Sequence, residues 1–224
     1  MIGLGEDSTR PGGPGLKILV AGAHPDDPET GCGGTIVRCT SAGHQVVCLY
    51  LTRGEAGIAG TTAREASEIR TAEALAACEI MKARPLFAGQ MDGDTVVDRE
   101  QYGRMSEILE SERPDLVLAH WPIDTHPDHR VTSHLIYHAW NSTRFSAEQA
   151  FELYYYEVLS GAQTQNFHPT DYVDISDTEA VKKRACYAHE SQNMTETYAH
   201  HEMMSIFRGL ENNCRHAEAF VRQG

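Results

Sequence analysis

The chain is poor in positive charge: 19 lysines and arginines stand against 32 aspartates and glutamates, a formal net charge of −13 over 224 residues with histidine neutral. No run of lysine and arginine offsets this balance. Nucleic-acid binding draws most of its affinity from basic side chains that neutralise phosphates, so a DNA or RNA partner is not expected. Long apolar runs are also missing, with nothing approaching the roughly 18 consecutive apolar residues of a membrane-spanning helix. Residues Met1 to Gly15 are rich in glycine, proline and polar groups, without the basic start and apolar core of a secretory leader. They read as a flexible N-terminal segment ahead of one domain over residues 16–224. A soluble, unsecreted, cytoplasmic protein with no stable membrane anchor is expected. The six cysteines form no C-x-x-C pair, and a chain of this length does not need disulfide staples, so buried reduced thiols are the default.

What the sequence does have is an alternation of short apolar runs and helical periodicity. Leu16 to Ala21 is a near-continuous apolar run, the mark of a strand buried on both faces, and Gln45 to Thr52 is rich in β-branched and apolar residues. Further strands are expected at Pro85 to Phe87, Asp115 to Ala119, Phe151 to Leu159 and Tyr172 to Ser176. Helices are expected at Gly31 to Ala42, Thr62 to Ala83, Asp98 to Glu112 and His129 to Trp140, with two or three more in the tail from Asp177 to Arg222. Strands alternating with helices predict a single Rossmann-like α/β domain, its mostly parallel sheet flanked by helices.

Ligands of such sheets bind beyond the carboxyl ends of the strands, where the strand order reverses, between the first and fourth strands of the common order 3-2-1-4-5. Two polar segments fall there: Ala23-His24-Pro25-Asp26-Asp27-Pro28-Glu29 after the first strand and His126-Pro127-Asp128-His129 after the fourth. Taken singly, each is as well read as a helix cap, with Asp26 or Asp27 ahead of Pro28, or Thr125 with Asp128 as a capping box. Capping does not call for histidine in both places, nor for adjacent carboxylates. A dinucleotide site is disfavoured, because the turn lacks G-x-G-x-x-G and Pro25 removes a backbone donor. Two histidines and a carboxylate with an open position suit a catalytic zinc ion. The twelve histidines of the chain include a second close pair, His134 and His138, more simply read as partly buried or at a subunit contact.

Together, A-H-P-D-D-x-E followed by Gly31-Cys32-Gly33-Gly34-Thr35, and H-P-D-H after the fourth strand, resemble the LmbE-like/PIG-L family of zinc-dependent N-deacetylases. The resemblance extends from about Leu16 to Phe220, through Thr61 to Glu73, Met91-Asp92-Gly93, Tyr172 to Ser176 and His189-Glu190-Ser191-Gln192. It implies that His24, Asp27 and His129 bind Zn²⁺, with Fe²⁺ accepted by the same set, and that Asp26 is the general base. His126 would stabilise the oxyanion and, when protonated, deliver a proton to the leaving amine, with Asp128 holding its imidazole. Arg64 and Asp92 fall where the family contacts sugar hydroxyls, although a solvated helix-start arginine and a turn aspartate would read the same way. The implied activity is removal of the acetyl group from an N-acetylated, GlcNAc-type amino sugar or its conjugate, a small-molecule partner. A homo-oligomer, trimer or hexamer, is implied by resemblance alone. A zinc amidase acting on another acyl group or a thiol conjugate, and a non-catalytic metal- or sugar-binding protein, are the alternatives; Asp26 together with His126 favours the enzyme.

Overall fold

Ile18, Leu19, Val20 and Ala21 are buried on both faces of the first strand, β1 (Lys17–Gly22), in the computed structural model, which describes residues 15–144 and 150–224. The expected N-terminal segment therefore lies, apart from Gly15, outside the described residues. The elements that follow are α1 (Asp27–Ser41), β2 (Gln45–Tyr50), α2 (Ala63–Met81), β3 (Arg84–Phe87), α3 (Arg99–Glu112), β4 (Leu116–His120), α4 (Pro127–Thr143), β5 (Glu152–Tyr156), β6 (Asp171–Asp174), α5 (Glu179–Tyr187), α6 (Met194–Glu211) and β7 (Ala217–Arg222). One 7-stranded sheet runs in the order β3-β2-β1-β4-β5-β7-β6, parallel from β3 to β5 and antiparallel where β7 joins β5 and β6. The expected α/β fold with a mostly parallel sheet is the observed one.

Strand residues alternate between two apolar layers. Ile18, Val20, Cys48, Tyr50 and Leu118 pack on the side of α1, α2 and α5, while Leu19, Ala21, Val47, Leu49 and Val117 pack on the side of α3 and α4. Burial of both faces is what turns these strands into continuous apolar runs.

Two expectations need correction. The first helix begins at Asp27, four residues before Gly31, so the glycines lie inside it. The tail is not wholly helical: it closes on β7, which fills the gap between β5 and β6. That strand carries a buried acid, Glu218, whose Oε1 lies 2.6 Å from Lys182 Nζ on α5 and which accepts the Gly34 and Thr35 backbone N–H groups of α1. A charge on the inward face breaks the apolar pattern by which strands are recognised.

The chain leaves β1 to one side for β2 and to the other for β4, so the crevice at their carboxyl ends is open. The turns after β1 and β4 face one another across it. No described helix is long and apolar enough to cross a membrane.

Candidate functional site

The turn after β1 is held by its own carboxylate. Asp27 Oδ2 accepts the backbone N–H groups of Ala23 at 3.0 Å and His24 at 2.8 Å, fixing the tight entry into α1. Asp26 occupies the N-cap position, but its side chain makes no capping hydrogen bond, and its backbone sits at φ 122°. A non-glycine residue there costs about 1–3 kcal/mol and persists only where its surroundings impose it. Arg70 on α2 supplies part of that imposition: it is buried and donates from Nη2 to the Pro25 carbonyl and, at 3.1 Å, to Asp26 Oδ2.

After β4, His126 is the N-cap of α4, its Nδ1 accepting the Asp128 backbone N–H at 3.3 Å. The Thr125–Asp128 capping box does not form. Pro127 at the first helical position then turns His129 inward, where it is 1% exposed.

The two turns converge. His24 Nδ1 lies 3.3 Å from Asp27 Oδ2, His129 Nε2 lies 3.3 Å from Asp27 Oδ1, and the His24 and His129 ring centroids are 5.4 Å apart. His126 meets His24 edge-on at 4.6 Å and stacks on His129 at 4.8 Å. Nitrogen and carboxylate donors of His24, His126 and His129, of Asp27, His120 and His129, and of His24, Asp92 and Asp128 each fall within 4.8 Å of one another. This cluster could hold a metal ion.

The electrostatics fit a cation. Burial alone would lower His129, yet the Asp27 and Asp124 carboxylates raise it to about 9. His24 is likewise raised against its burial by Asp128, Asp27 and Asp92. Burial would raise Asp27, but the His129 and His120 imidazoles hold it well below the ordinary carboxylate range. The carboxylates thus draw protons onto imidazoles that burial would keep neutral. A divalent ion would displace those protons and supply the missing charge. Asp26 differs from its neighbour: burial lifts it to about 6, and Arg70 limits the rise.

A cavity of about 510 Å³ opens over the cluster. His24, Asp26, Asp27, Arg70, Asp92, His126 and His129 form one side; Val158, Leu159, Gln163, Gln192, Met194 and His201 form the other. Asp92 is held there by Ala56, whose backbone N–H it accepts at 3.1 Å, and its Oδ1 lies 3.2 Å from His24 Nε2.

Two expected placements differ. Arg64 is outside the cavity, its side chain 87% exposed and paired with Glu68. It stands on the outer side of the α2 start, whereas Arg70, further along the same helix, faces inward. The Asp128 carboxylate does not touch His126; it lies 3.2 Å from His24 Nε2 and accepts Gly93 N–H and the Thr95 hydroxyl. Sequence reasoning also passed over Asp124, His120 and His201. His120 ends β4 and Asp124 lies in the turn from β4 to α4, two residues before His126, and that proximity was the available signal. His134 and His138 pack on Tyr102, with ring centroids 6.0 and 3.9 Å away, and belong to none of the donor clusters among the described residues. His189 is fully buried beside Glu29 and does not line the cavity.

Comparison with known proteins gives the family of the chain. Residues 19–140 match the family model PIG-L, described as GlcNAc-PI de-N-acetylase. Diacetylchitobiose deacetylase of Thermococcus kodakarensis is 33% identical over 187 residues, 79% of this chain and 70% of that protein. Among solved structures, the conserved protein TT1542 from Thermus thermophilus superposes with a TM-score of 0.80 at 30% identity, covering 92% of this chain and 94% of the other. The N,N'-diacetylchitobiose deacetylase of Pyrococcus horikoshii shares the fold, with a TM-score of 0.82 at 24% identity over 93% of this chain and 84% of its own. With the family model spanning both motif-bearing turns and a deacetylase aligned along most of its length, the chain belongs to the PIG-L family and is a hydrolase of the deacetylase type.

Proposed function

We propose that the protein removes the acetyl group from a GlcNAc-type amino sugar or a small conjugate of one, using Zn²⁺ held by His24, Asp27 and His129. The observation that carries this is the buried His24–Asp27–His129 cluster with a differently tuned carboxylate, Asp26, beside it on the floor of one cavity. The similar diacetylchitobiose deacetylases support an N-acetylated sugar as substrate. When bound, the ion supplies Lewis acidity, drawing charge from an amide carbonyl and making water a stronger nucleophile near neutral pH.

The chain's own groups do the rest. Asp26 Oδ2 is occupied by Arg70, which leaves Oδ1 to take a proton from the attacking water. With Nδ1 of His126 accepting the Asp128 N–H, the neutral imidazole carries its proton on Nε2, where it donates to the oxyanion that develops from the carbonyl. Burial and the His24 and His129 imidazoles lower His126, so it enters the step neutral, as a donor. Because a lowered His126 starts the step neutral, we give the proton delivery expected of His126 to Asp26 instead: holding the proton it accepted, Asp26 passes it to the leaving nitrogen as the C–N bond breaks, releasing acetate and the amine. Of the two residues expected to meet sugar hydroxyls, Asp92 lines the cavity and would accept one, while Arg64 stands outside it.

The test is an amine- and acetate-release screen over N-acetylglucosamine, diacetylchitobiose and N-acylglucosamines of longer acyl chain. Asp26→Asn should retain stoichiometric zinc and lose nearly all turnover, whereas His24→Ala should lose the metal. Full activity of Asp26→Asn would sink the assignment of the base. Stoichiometric zinc with release from no substrate would favour a binding protein.

A further inference from the structure

We infer that Asp124 is the positioning residue for His129: its carboxylate holds the imidazole so that Nδ1 carries the proton and Nε2 is turned to Asp27 and the metal. The inference rests on the reading of His24, Asp27 and His129 as the metal set.

Asp124 lies in the turn between β4 and α4 and is 5% exposed. Its oxygens are shared between two tasks. Oδ1 accepts the His126 backbone N–H at 2.8 Å, tying the carboxylate to the residue that begins α4. Oδ2 accepts the Thr164 hydroxyl at 3.2 Å and stands 3.3 Å from His129 Nδ1. The other ring nitrogen, Nε2, is the one 3.3 Å from Asp27 Oδ1. His120 stacks on the His129 ring at 3.9 Å and 12°, so the ring plane is fixed and only the tautomer is left to choose.

Two side chains compete for that choice. The Gln163 Nε2 amide is 3.2 Å from the same His129 Nδ1. An amide nitrogen only donates, so if Gln163 set the tautomer, Nδ1 would be the acceptor and Nε2 would carry the proton, pointing it at the metal position. A carboxylate only accepts, and it selects the opposite tautomer, with the lone pair on Nε2 as a ligand requires. A charged acceptor outcompetes a neutral amide for a buried imidazole N–H. Thr164 extends the arrangement outward, because its hydroxyl oxygen also accepts the Val158 backbone N–H at 3.1 Å, linking the carboxylate to the cavity's far wall.

The experiment measures zinc affinity by competition with a chromophoric chelator for the wild type, Asp124→Asn and Gln163→Leu, beside the melting temperature of each metal-free protein. Asn keeps an oxygen for the His126 N–H and loses only the second acceptor. Asp124→Asn is expected to weaken zinc binding about 10–100-fold while the metal-free protein stays folded at the assay temperature, its melting temperature lowered by the lost pairing with protonated His129, and Gln163→Leu to stay within about threefold. A second measurement needs no variant: the histidine ¹⁵N spectrum of the zinc-loaded wild type should show His129 protonated at Nδ1 and metal-bound at Nε2. Wild-type affinity in Asp124→Asn, a larger loss in Gln163→Leu, or a proton found on Nε2 would overturn the inference. Failure of the wild type to bind zinc at all would instead strike the metal reading beneath it.

Discussion

Arg70 shows how much a single side chain can hold at this site. One guanidinium reaches both the carbonyl of Pro25 and the carboxylate of Asp26, so it props the backbone of the strained residue and neutralises its charge at once. Both bonds leave from one nitrogen, Nη2, and a lysine ammonium, on a stem one bond shorter, ends short of that position. Arg70→Lys is therefore expected to lower kcat by about tenfold or more while zinc remains stoichiometric, the scale of a misplaced catalytic group. Arg64→Ala should leave kcat/KM within about twofold, because removing an exposed helix ion pair is worth little. Steady-state kinetics beside metal analysis decides both. A loss in Arg64→Ala as large as that in Arg70→Lys would mean that the exposed arginine swings in over substrate, and an undiminished kcat in Arg70→Lys would remove Arg70 from the role given to it.

At the scale of elements, the two motif-bearing turns were legible in the sequence because topology alone brings the ends of β1 and β4 together. His24, Asp26, Asp27, His126 and His129 needed only the alternation of strands and helices to be placed at one crevice. Arg70 and His201 were not legible, since their roles depend on which helix face points inward and no local pattern records that; Asp124 was signalled only by its place two residues before His126. The boundary of α1 was misplaced for a related reason. Gly31, Gly33 and Gly34 look like a break, but they are helical residues chosen for close approach: a Cβ on Gly34 would sit 2.6 Å from the Ile175 Cβ at the end of β6. Gly103 in α3 is the opposite case, with nothing within 4 Å of an added Cβ. Gly34→Ala should destabilise the protein by about 1–3 kcal/mol through overpacking. Gly103→Ala should stabilise it by about 0.5–1 kcal/mol, since only helix propensity is changed. Urea midpoints of the two variants with the same sign of change would contradict this account of the glycines.

For the whole molecule, the same burial that tunes the site sets its response to acid. His201 on α6 joins the cavity's far wall to the interior, where Lys182 and Glu218 pair between α5 and β7. It is 5% exposed, and its Nδ1 has no hydrogen-bond partner. Burial, with the positive charge of Lys182 and the neighbouring His200, depresses its pKa from 6.5 to about 4, a Val158 backbone hydrogen bond and the distant Asp27 only partly opposing. Between those two values the unfolded chain holds a proton that the folded one refuses, so stability rises with pH across the window and falls as pH drops through it. The depression corresponds to about 3 kcal/mol at most, lost progressively toward pH 4. His120, depressed to about 4 by burial and His129, acts in the same direction. Asp26, lifted to about 6, works in the opposite sense between pH 6 and 4, but two histidines outweigh one carboxylate, so the metal-free protein should show urea midpoints that decline from pH 6.5 to 4. His201→Leu, which keeps an apolar group of similar bulk, should flatten that decline by up to one proton's worth while leaving the His120 share in place. An unchanged slope in His201→Leu would mean that the imidazole takes up its proton in the folded state.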